Sequence, residues 1–134
     1  MSKELLSHGP ILGEITDSSV KVWFRTALVD DNTFLVRLFN GIEEIDFQEV
    51  RTSRENDYTG LAFFEELQDD SIYEAKIYLV KELAASIKVR TRSKQIKTLR
   101  FVFGSCRYNH WCNKFKDDAK DGDKTYEEIH KLHK

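Results

Sequence analysis

Both cysteines and three of the four histidines fall late in this chain. Cys106, His110 and Cys112 fall in "TLRFVFGSCRYNHWC", residues 98–112, and Asp123, Thr125, His130 and His133 in "GDKTYEEIHKLHK", residues 122–134. A thiolate is a strong, soft ligand whose pKa falls on metal binding, so Cys106, delivered by an apolar run into a loop, is a candidate metal ligand. Its six-residue separation from Cys112 suits neither a disulfide framework nor the C-x2-C spacing of a zinc site, and both read as free thiols. His130 and His133 lie three apart, whereas a zinc-protease helix needs two histidines four apart with a glutamate between, so they read as a surface pair. His8 stands alone, and His110 beside Trp111 reads as loop packing. No Ser-His-Asp arrangement, phosphate-cradling glycine loop or nucleic-acid motif is present, and Gly104-Ser105 is too short to act as one. No catalytic residue is assigned.

The elements that must position Cys106 differ from everything before them. Leu99 to Phe103, broken only by Arg100, is nearly continuous in apolar character, as in a strand covered on both faces in a parallel sheet. A polar loop follows, and Thr125 with Glu128 forms a capping-box pair that starts a helix at about Thr125. Tyr126, Ile129 and Leu132 or His133 recur along one face of it. The "GDKTY" at its start is preceded by the charged "FKDDAKD" rather than by a strand, so Asp123 and Thr125 are assigned to capping. Strand, loop and helix open a βαβ unit whose second strand is missing, and a tail of about forty residues is too small to fold alone.

Over the first ninety residues the period is two. Val20, Val22 and Phe24 alternate with Lys21 and Arg25. Phe34, Val36 and Leu38 follow, then Tyr73, Ala75, Ile77 and Leu79, then Ile87 and Val89. Turn signals at "TDSS", "VDDN", "FNG", "ENDYTG" and "LQDDS" recur at roughly ten-residue intervals, the rhythm of a sandwich of about seven antiparallel strands. Pro10 marks the start of a first edge strand, and Trp23 falls on the opposite parity from Val22 and Phe24, facing outward unless a bulge shifts it. Leu67 and Tyr73 in "LQDDSIY" have the arrangement of a tyrosine corner, whose hydroxyl bonds back to upstream backbone. Fibronectin type III domains look like this. The expected fold is therefore all-β, an immunoglobulin/fibronectin III-like β-sandwich over residues 1–92, a linker at 93–98, and a C-terminal strand-loop-helix extension over 99–134. Val22, Phe64, Leu67, Tyr73, Ile77 and Val89 are expected inside.

Composition bounds the class. At 134 residues and 40% hydrophobic content the chain can bury one ordinary core. No apolar stretch approaches the roughly 20 residues that span a bilayer, and "MSKELLSHGP" lacks the pattern of a signal peptide, so a cytoplasmic protein without membrane contact is expected. The net charge of −2 conceals an asymmetry: residues 1–80 hold 7 Lys and Arg against 16 Asp and Glu, and residues 81–134 hold 14 against 7. Lys88, Arg90 and Arg92 fall on the polar face of a strand, so the basic half reads as solvated strand and linker rather than as a nucleic-acid surface.

Taken in order, "HGPILGEITDSSVKVWFRT", "LQDDSIYEAKIYL", "VRTRS" and "FVFGSCRYN" followed by "GDKTYEEIHK" resemble the N-terminal part of the PhoD-like alkaline phosphatase and phosphodiesterase family. The resemblance implies a fibronectin-like sandwich followed by the start of a metallophosphatase domain that hydrolyses phosphate esters. It implies that Cys106 is a ligand of an iron ion in a full-length parent, in a centre with iron and calcium completed by later segments. It also implies that this chain, ending near its first helix, is a truncated form, holds no metal and is inactive without the rest of the phosphatase domain, its missing partner. The apolar residues 99–103 would then have unpaired edges and invite self-association. The alternative is a free-standing fibronectin-like binding module.

Overall fold

The computed structural model describes residues 4–95, Thr98, Glu128 and Lys131. The chain divides into two compact units, residues 1–97 and 98–134. Cys106, His110, Cys112, Asp123, Thr125, His130, His133 and the apolar run 99–103 lie outside the described residues, as do the bounds of the helix expected at Thr125. Glu128 and Lys131 are helical, exposed and ion-paired at 2.6 Å.

The first unit is an antiparallel β-sandwich of fibronectin III-like topology. Its strands are β1 (Leu6–Gly13), β2 (Val20–Thr26), β3 (Asn32–Asn40), β4 (Glu43–Thr52), β5 (Thr59–Phe64), β6 (Ile72–Leu79) and β7 (Glu82–Arg90). One sheet has the order β1-β2-β5 and the other β4-β3-β6-β7. A 3-10 turn, Arg54–Asn56, interrupts the β4–β5 connection.

The alternating sequences place the core between the sheets, because successive side chains of a strand point to opposite faces. Val20, Val22 and Phe24 of one sheet meet Phe34, Val36, Leu38, Ala75 and Ile77 of the other, all fully buried. Phe24 and Phe34 meet edge to face with ring centroids 5.2 Å apart, the geometry the ring quadrupoles favour. All six residues expected inside are buried. Gly60, opposite Phe24 in the β2–β5 register, leaves room for that ring, since a Cβ there would stand 2.6 Å from it. The buried threonines are satisfied by the main chain: the Thr26 hydroxyl donates to the Leu5 carbonyl at 2.9 Å and the Thr91 hydroxyl to that of Gln68 at 2.6 Å.

Two local expectations change. The first strand begins at Leu6, not Pro10. Pro10 lies inside it at an irregular stretch of pairing between His8 and Ile11, which an edge strand tolerates because a ladder bond is already missing there. Trp23 faces outward without any slip in β2, whose register with β5 is continuous from Val20 to Arg25. The irregularities in this sheet belong to β1.

Candidate functional site

Chemistry-bearing side chains in the sandwich occupy its surface and its two ends. The cluster nearest to a catalytic arrangement is Ser7, His8, Arg25 and Asp57. Its geometry works against that role. The Ser7 hydroxyl is 3.1 Å from His8 Nδ1, and it also lies within donating range of the Arg25 and Thr26 carbonyls, at 3.3 and 3.2 Å. Asp57 faces Arg25 rather than His8: Arg25 Nη2 and Nε reach its two carboxylate oxygens at 3.0 and 3.2 Å. That fork, and the charge behind it, hold the Asp57 carboxyl below the usual carboxylate range. A carboxylate locked on an arginine cannot orient a histidine as a base, so this is a bridge between β2 and the β4–β5 turn.

At one end of the sandwich, Asp31, Arg51, Ser53, Arg54, Glu55 and Asn56 surround an open hollow of about 740 Å³. Arg51 Nη2 donates to Asp31 at 2.8 Å, and this bond raises the guanidinium's pKa above its usual value. With Arg51 and Arg54 balanced by Asp31 and Glu55, the hollow has no surplus charge to recruit a substrate anion.

The outer faces carry apolar groups. On the three-stranded sheet Ile11, Trp23 and Leu61 form one cross-strand row, with Ile11 54% and Leu61 53% exposed. On the four-stranded sheet Arg37 lies over the Tyr78 ring and Lys76 over Phe39, at 5.7 and 4.8 Å from the centroids, so these cations cover their own aromatic neighbours. The exposure of Lys88, Arg90 and Arg92 agrees with their reading as a solvated face.

Among the described residues no group of three or more His, Cys, Asp or Glu side chains converges as a metal site would require. These residues therefore do not fit an iron or calcium centre, and Cys106 lies beyond them. No helix among them is long and apolar enough to cross a membrane.

The tyrosine corner is formed. Tyr73 is buried, and its hydroxyl accepts the Gln68 N–H at 2.9 Å, five residues upstream and next to buried Leu67. Sequence reasoning missed what lies beside it: Thr91, Arg92 and Lys94 all bond to loops at the same end of the sandwich. The only hint in the sequence is a threonine at an inward position just past β7.

No family model matches the sequence, and no curated protein matches it. Among solved structures the sandwich is similar to PhoD, with a TM-score of 0.61 and 14% identity over 68% of this chain and 20% of the PhoD chain. It is similar to a redesigned β-sandwich protein at a TM-score of 0.50 and 15% identity, over 66% of this chain and 95% of that one. A human fibronectin type III domain overlays at a TM-score of 0.47 and 12% identity, covering 73% of this chain and 82% of that domain. At these identities the likeness is one of fold, and it spans a fifth of the PhoD chain.

Proposed function

We propose that residues 1–92 are the N-terminal sandwich of a PhoD-like, metal-dependent phosphoric ester hydrolase, and that "FVFGSCRYN" opens its catalytic domain. The observation that carries this reading is the overlay on PhoD, a TM-score of 0.61 across 68% of the chain, joined to the motif order that follows the last strand. In this reading the sandwich is structural. Cys106 supplies one thiolate to an iron ion, and the remaining iron and calcium ligands come from segments beyond Lys134. One thiolate, even with His110 and Cys112 nearby in sequence, cannot form a closed multi-carboxylate cage that would activate a nucleophile. The 134-residue chain alone is accordingly inert.

A second reading, a free-standing binding module, is favoured by the Ile11–Trp23–Leu61 row, whose two ends are exposed and whose middle is half-buried, because contiguous apolar surface often marks an interaction site. Reading the coding sequence past Lys134 separates the two. A hydrophobic strand followed by Gly-Asp-x-x-Tyr is expected for the hydrolase, and a stop codon supports the module.

A further inference from the structure

Strand β7 ends at Arg90, but the chain does not leave the sandwich there. Thr91, only 2% exposed, donates its N–H to the Ser71 carbonyl at 3.0 Å. Its hydroxyl accepts the Ser71 N–H at 3.0 Å and donates to the Gln68 carbonyl at 2.6 Å. The Arg92 N–H donates to the Thr16 carbonyl at 2.8 Å, and the Arg92 carbonyl accepts the Asp70 N–H at 3.3 Å. The Lys94 N–H then donates to Asp69 Oδ2 at 3.2 Å. Thr16 belongs to the β1–β2 turn and Gln68 to Ser71 to the β5–β6 loop, so residues 91–94 join connections from both sheets at one end. The same loop is braced from within by the tyrosine corner, where Gln68 bonds Tyr73, and by the Leu67 N–H, which donates to the Ser18 carbonyl at 3.0 Å.

We propose that residues 91–94 are a clasp: a built part of the sandwich that closes its end and holds the chain against it as far as Lys94. Composition alone suggests the reverse, because "RTRSKQIK" is polar and basic and reads as a solvated tether. A tether would have main-chain groups bonded to water. Here Thr91, Arg92 and Lys94 give their N–H groups to acceptors far away in sequence. Thr91 is the pivot, since its one hydroxyl satisfies two main-chain groups of the loop while its methyl group fills a buried position. The sandwich thus extends past its last strand to Lys94. This holds whether or not the following segment belongs to a phosphatase.

Amide hydrogen exchange on the full chain tests it. The Thr91, Arg92 and Lys94 amides are expected to exchange at least about tenfold more slowly than in an unstructured peptide, because exchange needs a local opening. Thr91→Val, which keeps the shape and removes the hydroxyl, is expected to raise exchange at Arg92 by about tenfold or more while the amide of Val36 in the central strand is little changed. Thr91→Ser keeps the protection. Trypsin gives a second readout: the bonds after Arg92 and Lys94 resist cleavage in the intact chain and are cut in Thr91→Val with Asp69→Ala. Peptide-like exchange at Arg92 and Lys94 in the unaltered chain, or equal cleavage there with and without the substitutions, would overturn the clasp. Neither readout depends on hydrolytic activity.

Discussion

Tyr73 shows how one hydroxyl fixes a crossing between sheets. Its ring is buried beside Leu67, and its oxygen is the acceptor for the Gln68 N–H, a donor that the turn leaves without a ladder partner. Tyr73→Phe keeps the ring and strands that donor, so a loss of about 1 kcal/mol is expected in denaturant unfolding, with an unchanged m-value. An unaltered midpoint would mean that water replaces the hydroxyl. Gly60 is the other residue whose role is set by a single distance. A methyl group there meets Phe24 and the Val50 side chain at 2.6 and 2.8 Å, in a part of the core with Phe24 fully buried. Gly60→Ala is expected to cost about 1–3 kcal/mol in thermal or denaturant unfolding, since overpacking forces side chains off their rotamers. The Tyr73 contact was legible in the sequence because the Leu-to-Tyr spacing is local. Gly60 was not, since the demand for a small residue comes from an aromatic ring on another strand.

At the scale of elements, legibility followed burial. Strands β2, β3 and β6 declare themselves by alternation because one face of each is buried and the other is less so, and β7 does so only over Ile87 to Arg90. Strand β4 does not: Glu43 to Phe47 are exposed along both faces, so nothing in "EEIDF" marks an inside. The feature that anchors this edge strand is a side chain acting as backbone. Gln48 accepts the Phe63 N–H through Oε1 at 2.9 Å, and its Nε2 donates to the Phe63 carbonyl. One amide thus occupies both ladder groups of Phe63 and links the edge of one sheet to the edge of the other. Gln48→Ala is expected to lower stability by about 1–2 kcal/mol, as two bonds are lost at a half-buried position. In the variant, amide exchange at Phe63 rises while that at Trp23 in the central strand stays slow; equal rates at Phe63 in both proteins would remove the clip from the account. Charged Glu43, Glu44 and Asp46 in the same strand guard the open edge against pairing with another chain.

At the scale of the molecule, fold and function part company. The sandwich followed from patterning and turn chemistry, and its topology matches that expectation. The candidate site could not be reached in the same way, because a metal centre is assembled from ligands scattered over many segments, and Cys106, the one ligand proposed, lies outside the described residues. The described residues hold no metal cluster, and their ion pairs and cation–aromatic contacts are internally matched. We propose that this sandwich belongs to a hydrolase whose active site lies downstream of it. The most direct measurement is hydrolysis of a chromogenic phosphate diester with added iron and calcium, comparing this chain with one extended through the codons that follow Lys134. The 134-residue chain is expected to show no turnover, the extended one metal-dependent turnover, and its Cys106→Ser variant loss of both bound iron and turnover. Hydrolysis by the short chain that Cys106→Ser abolishes, or none by the extended chain, would contradict it.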